Sequence, residues 1–145
     1  MNRRSIVQMV AVGSLYGATT WILPQGASAG PAAEKIAKNR LAGGVFYTKE
    51  APGRWSKKAG SHAPSISHTE SGIEIFTDHP MKSGEHWIVK HVLLDHRFRF
   101  IAETVFDAER DTKARSTYNH RTTGTLYALS VCNKHDTWMT PLEGA

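Results

Sequence analysis

Beyond residue 70 the chain alternates between apolar and polar positions. Gly72–Thr77 (GIEIFT) sets Ile73 and Ile75 against polar neighbours, the period of a strand with one buried face. His86–Leu94 (HWIVKHVLL) is rich in β-branched and aromatic residues, and Asp95-His96 after it predicts a tight turn. Arg97–Phe106 (RFRFIAETVF) puts Phe98 and Phe100 on one face and Arg97 and Arg99 on the other. Lys113–Tyr118 is short and mixed. After the Gly124 turn, Thr125–Val131 (TLYALSV) alternates Leu126, Ala128 and Ser130 against Tyr127, Leu129 and Val131. Short strands about 8–15 residues apart, separated by turns, predict an all-β fold. The expectation is an immunoglobulin-like antiparallel β-sandwich of about seven strands.

The N-terminal third reads differently. Pro31–Leu41 (PAAEKIAKNRL) predicts one or two helical turns, ended by Gly43-Gly44, and Ala51-Pro52-Gly53-Arg54 is a turn signal. No segment after residue 45 has helical periodicity. Arg3 and Arg4 precede an apolar run from Ile6 to Leu23, broken by Gln8, Gly13 and Gly17, and Ala27-Ser28-Ala29 forms a small-x-small cleavage pattern. No acidic residue occurs before Glu34. This layout predicts a twin-arginine export signal over residues 1–29, cleaved after Ala29, and a periplasmic location. An uncleaved membrane anchor is the alternative for a run of this length. The expected organisation is therefore a signal at 1–29, an N-terminal tail at 30–44 and the sandwich domain at 45–145.

Composition narrows the class. At 145 residues, with 40% hydrophobic and 21% charged residues, the chain has room for one globular domain and is not a disordered, collagen-like or polytopic membrane protein. Lys plus Arg is 18 and Asp plus Glu is 13, a net charge of +5. Residues 1–29 hold two of the basic residues and none of the acidic ones, so the remainder carries +3. Basic residues are scattered, with no run longer than Lys57-Lys58, which argues against nucleic-acid binding. The mild excess suits a small anion. One cysteine allows no intramolecular disulfide. In an oxidising compartment a lone thiol pairs with another chain, is buried, or is held by a metal.

Histidine is the unusual component: His62, His68, His79, His86, His91, His96, His120 and His135. Cys132-Asn133-Lys134-His135 places a thiol and an imidazole three residues apart at the end of a strand, a chelating spacing when the chain turns there. His79-Pro80-Met81 follows the GIEIFT strand, and His86 lies seven residues further on at the start of the next. Zinc usually takes four ligands in a tetrahedron, a number that four histidines and a cysteine exceed. Five such ligands suit a square-pyramidal iron with one open position, toward which the thiolate pushes electron density.

The segment from Gly124 through Cys132, His135 and Trp138 resembles the closing element of superoxide reductases, the neelaredoxins and the iron domain of desulfoferrodoxins, where the pattern is G-x-L-x-A-x-x-x-C-N-x-H-x-x-W. His79-Pro80-Met81 through Glu85-His86-Trp87-Ile88 is similar to the family's HPM…H-aromatic-I element. Ser61-His62-Ala63-Pro64 resembles its KHVP loop, and Phe46–Trp55 its N-terminal approach. The three elements occur in the family's order over about residues 45–140.

The resemblance implies a β-sandwich with a mononuclear non-haem iron near the surface. Its ligands would be the imidazoles of His62, His79, His86 and His135 and the axial thiolate of Cys132, with the sixth position open. It implies one-electron reduction of superoxide to hydrogen peroxide, with electrons from a small redox protein. Dimers and tetramers occur in the family, so a homo-oligomer is an expectation. The four-cysteine domain of desulfoferrodoxins has no counterpart in a chain with one cysteine.

Two departures stand out. The spacing from His79 to His86 is seven residues against the family's usual six, with Ser83-Gly84 in the loop. The family's Glu-Lys pair before the first histidine is replaced by Gly60 and Ser61. That lysine attracts the anion and orders water for protonation. Lys57 and Lys58 are candidate substitutes. The loss of the pair motivates an alternative, a non-catalytic periplasmic metal-binding or electron-transfer protein on the same fold. A carrier thiol for sulfur compounds is a third reading, opposed by the C-N-x-H context. His91, His96 and His120 are expected at the surface, His68 is the rival to His62 as first ligand, and Trp87 and Trp138 are expected to pack or to shield the site.

Overall fold

The computed structural model describes residues 30–82 and 84–144; the expected export signal lies outside them. Among the described residues no helix is long and apolar enough to cross a membrane. Seven strands form there: β1 (Ser65–Thr69), β2 (Gly72–Thr77), β3 (Ile88–Leu94), β4 (Phe100–Val105), β5 (Ala114–Tyr118), β6 (Leu126–Cys132) and β7 (Asp136–Leu142). They pair as two antiparallel sheets, β1-β2-β5 and β4-β3-β6-β7, the sandwich that the alternation predicts. Ile73 and Ile75 of β2 face Leu93 of β3 and Leu126 and Ala128 of β6, all buried in the seam. Removing such side chains from water is the main force holding the two sheets together.

Two strands lack the alternating signal. β1 (SISHT) has one apolar residue, Ile66, and is recruited by pairing with β2, Ser65 against Phe76 through Thr69 against Gly72. β7 contains Pro141, which an edge strand tolerates because one side of its ladder is unpaired.

The expectation for Phe98 and Phe100 fails. They are 46% and 63% exposed, because β4 begins only at Phe100 on the sheet edge, after a register shift at Leu93/Leu94. Ile101 supplies the inward contact instead. Phe98 has φ 60° and stacks on Tyr127 at 4.5 Å.

Two short helical segments lie where no helical period is visible. A 3₁₀ helix (Gly53–Lys58) runs into α2 (Ala59–His62), and both are too short to show a repeat. Gly53 starts them with φ +47°, and a Cβ there would sit 2.2 Å from the Gly43 carbonyl oxygen, so the turn requires glycine. Within segment 30–44, α1 (Pro31–Ala37) opens with proline, and its Ala32 N–H donates to Glu143 Oε1 at 2.6 Å. Ile36 of α1 is buried on Tyr127 and Met139, which covers the outer face of the larger sheet.

His96 is exposed and His120 half-buried, but His91 is fully buried, against expectation. The register shift between Ile88 and Lys90 changes which positions of β3 point inward, so Ile88 and then His91 and Leu93 face the seam. Burial pushes the His91 imidazole down to about 3. The unfolded chain takes up a proton near pH 6.5, whereas folded His91 stays neutral until about pH 3. Stability from this residue is therefore complete above pH 6.5 and falls as pH drops toward 3, by up to about 1.4 kcal/mol per pH unit. In urea titrations between pH 7 and 4, His91→Phe should lose stability less steeply than wild type, by close to one proton. Parallel pH slopes would contradict this.

Candidate metal centre

The antiparallel topology brings five predicted ligands to one end of the sandwich. His62 ends α2 just before β1, His79 lies two residues beyond β2, and His86 lies two residues before β3. Cys132 is the last residue of β6, paired with Ile88 at the start of β3, and His135 sits in the turn into β7. The structure clusters His62, His86, Cys132 and His135, whose ligand atoms all lie within 4.8 Å of one another. His79 lies outside that group and adjoins it through His86, and His68 is exposed on β1.

The four imidazole rings pack in a closed cycle. Neighbouring ring centroids are 4.7 Å (His62–His135), 4.6 Å (His135–His86), 4.3 Å (His86–His79) and 4.4 Å (His79–His62), and the His62–His86 diagonal is 5.5 Å. The inward nitrogens are close: His62 Nε2 to His135 Nδ1 is 2.9 Å, His135 Nδ1 to His86 Nε2 is 2.8 Å, and His86 Nε2 to His79 Nε2 is 3.1 Å. Cys132 Sγ lies 3.2 Å from His86 Nε2 and 3.7 Å from His135 Nδ1.

Hydrogen bonding does not account for this convergence. His86 Nε2 has three polar neighbours within 3.2 Å, yet a ring nitrogen offers one N–H or one lone pair. The cluster could hold a metal ion. Donors at adjacent corners of one coordination sphere, each about 2.1 Å from the ion, lie about 3 Å apart, the spacing of these three nitrogen pairs. The outward nitrogens set the tautomers: His62 Nδ1 donates to the Lys58 carbonyl at 3.2 Å and His79 Nδ1 to the Pro80 carbonyl at 2.6 Å, leaving Nε2 lone pairs aimed inward. The donor set fits a metal that accepts imidazole and thiolate together.

The desulfoferrodoxin family model matches residues 54–141, which contain all five ligand candidates. The chain belongs to the desulfoferrodoxin family. No curated protein sequence matches it. Solved structures of a superoxide reductase (neelaredoxin) from Ignicoccus hospitalis are 24% identical to this chain. The alignments cover 68% of it and 92–93% of the relative, with TM-scores of 0.52 to 0.56. The superoxide reductase of Treponema pallidum is 21% identical over 59% of this chain and 66% of its own, with a TM-score of 0.47. At these identities the likeness is one of fold.

Around this desulfoferrodoxin site, burial sets the charge states. Burial first, then the neighbouring imidazoles, hold His62 down to about 3 and His86 to about 4. His79 and His135 are also lowered, chiefly by burial. All four rings are therefore neutral at pH 7 with lone pairs free. Burial pushes the Cys132 thiol up, while the Lys134 and His135 backbone N–H groups oppose it. A bound cation would supply the missing stabilisation of the thiolate.

Three further groups border the site; sequence reasoning gave Asp136 no role, took Trp55 only as part of the N-terminal approach, and named Lys58 as a candidate substitute for the family's lysine. Asp136, with φ 61°, closes the turn after His135 and accepts hydrogen bonds from Trp55 Nε1 at 2.7 Å and Arg54 at 2.6 Å. The Arg54 bond, then the Trp55 bond, hold its carboxyl below the usual range. Trp55 meets the His135 ring edge-on at 4.7 Å. Lys58 is the third: its charge helps to lower His79, His86 and His135, although Gly60 and Ser61 occupy the places of the family's Glu-Lys pair. Arg54, Trp55, Ser56, Lys57 and Lys58 line a cleft of about 280 Å³. Sequence signals existed for Lys58, as one of two adjacent lysines upstream of His62, and for Trp55, within the family-like Phe46–Trp55 segment; Asp136 had none.

Proposed function

We propose that this chain is an exported superoxide reductase whose single iron is held by His62, His79, His86, His135 and Cys132. That ion, when bound, would pass one electron to superoxide and go from ferrous to ferric, and with two protons the product is hydrogen peroxide. The observation that carries the reading is the cluster of the neutral His62, His86 and His135 imidazoles with the Cys132 thiol, with His79 beside His86. Membership of the desulfoferrodoxin family and the superoxide reductase relatives support it.

The chain's own residues have separable tasks. The four neutral rings bring no negative charge, so a divalent cation there is compensated by the Cys132 thiolate alone and the site stays attractive to an anion. Lys58 adds a second positive charge beside it. In this reading Lys58 takes over from the missing lysine, drawing superoxide in and holding a proton-bearing water. Arg3-Arg4 and Ala27-Ser28-Ala29 support twin-arginine export to the periplasm, where a small redox protein would return the iron to the ferrous state.

The test is the metal content and visible spectrum of the exported protein before and after a pulse of superoxide. About one iron per chain, a thiolate band on oxidation and released peroxide are expected. Iron that superoxide does not oxidise would move the function to the alternative favoured by Gly60 and Ser61, metal binding or electron transfer. Lys58→Met should slow the reaction with superoxide on the order of tenfold at low salt, and rising ionic strength should slow wild type more than the variant. Equal rates and equal salt dependence would remove Lys58 from the mechanism.

A further inference from the structure

Away from the ligands, one polar cluster interrupts the apolar seam between the sheets. It consists of Thr77 on β2, His91 on β3, Ser116 on β5 and Ser130 on β6, all buried. His91 Nε2 lies 2.9 Å from Thr77 Oγ1, and His91 Nδ1 lies 2.9 Å from Ser116 Oγ. Thr77 donates its hydroxyl proton to Ser130 Oγ at 2.9 Å, so it accepts from His91 Nε2–H. Nδ1 is then the acceptor, and the Ser116 hydroxyl donates to it. One neutral imidazole thus joins two strands of the smaller sheet to two of the larger.

The cluster adjoins both ligand-bearing strand ends. Thr77 ends β2, and its carbonyl accepts the backbone N–H of His79 at 2.9 Å. Ser130 lies two residues before Cys132 on β6, and so on the same face. Phe106 stands edge-on to the His91 ring at 4.9 Å and packs in one cluster with Ile88, Ala114 and Cys132. The hydrophobic effect is non-directional, whereas a directed chain of buried hydrogen bonds has one satisfied arrangement.

We propose that His91 is a positioning residue for the metal centre: through Thr77, and through Thr77 to Ser130, it fixes the spacing between the strand ends that present His79 and Cys132. This inference rests on the reading that the five residues hold one metal. It does not depend on the reaction with superoxide.

Cobalt(II) is the probe, because its thiolate band reports geometry and its release to a chelator reports how well the ligands are held. Thr77→Val keeps the side chain's shape and removes the hydroxyl; His91→Phe removes the whole hub. Both should release cobalt about tenfold faster than wild type, the scale of outer-shell effects on metal sites, with a shifted band. His91→Gln, whose amide can donate toward Thr77 and accept from Ser116, should recover most of the wild-type behaviour. Ser116→Ala loses an equally buried bond on a strand that carries no ligand. It should melt earlier than wild type while keeping the wild-type band and release rate.

If Thr77→Val melts earlier yet matches wild type in band and release, or if Ser116→Ala shifts them as much, the inference is overturned. Should His91→Phe fail to fold, Thr77→Val against Ser116→Ala makes the same comparison. Wild-type protein that takes up no cobalt would overturn the metal reading and this one together. Wild type that binds it, with Thr77→Val indistinguishable, overturns this one alone.

Discussion

Cys132→Ser should leave a folded sandwich with a crippled metal centre. The residue is the last of β6 and is buried with Ile88, Phe106 and Ala114, and serine keeps nearly its shape while retaining a contact for the Lys134 N–H that now meets sulfur at 3.4 Å. Far-ultraviolet circular dichroism should therefore stay close to wild type. The chemistry changes, because a serine hydroxyl does not ionise at neutral pH and a hard oxygen is a poor replacement for a soft thiolate. Metal affinity should fall beyond the roughly 10- to 100-fold that changes in the surrounding shell cost. The thiolate-to-metal band should vanish, and peroxide formation from superoxide should fall to the background rate. A variant that keeps both the band and turnover would show that the sulfur is not a ligand.

Trp138→Ala should damage fold and site together. Trp138 is fully buried, clusters with Tyr47 and Ala63, and lies 6.0 Å from the His62 ring. Its indole N–H donates to the His135 carbonyl at 2.9 Å, which anchors the turn that carries that ligand. Loss of the ring from a packed site costs about 3–5 kcal/mol. Denaturant unfolding should show a loss of that size, and metal should leave faster from the surviving folded fraction. Trp138→Phe should recover much of the stability but not the hold on His135, because it restores ring volume without the N–H. Equal metal release from Trp138→Phe and wild type would show that the hydrogen bond is unimportant to the site.

The parts of this molecule that were legible in the sequence are those whose signal is local. β2 could be read because Ile73 and Ile75 alternate cleanly, and the clustered residues His62, His86, Cys132 and His135 because each sits in a short motif of a known family. β1 was not legible, since SISHT earns its place only by pairing with β2. His91 was hidden for a geometric reason: the shift between Ile88 and Lys90 reverses the face on which its position falls, and no residue in the sequence marks the shift. Asp136 and Arg54 meet across 82 positions of chain, through a 3₁₀ turn too short to leave a periodic trace. Lys58 could be named from the sequence, as one of two adjacent lysines upstream of His62.

The His/Cys cluster gathers its members from segments far apart in the chain, with His62 and His135 separated by 73 positions. A metal bound there grips the folded chain and not the unfolded one, so folding stability becomes a function of metal supply. At a free concentration a hundred times the dissociation constant, the gain is about 2.7 kcal/mol. A chain whose single cysteine forbids an internal disulfide has no permanent cross-link to fall back on. Exposed to a protease, unloaded molecules would open and be degraded sooner than loaded ones. The amount of this protein that survives would then track the metal available to it, with no separate regulator.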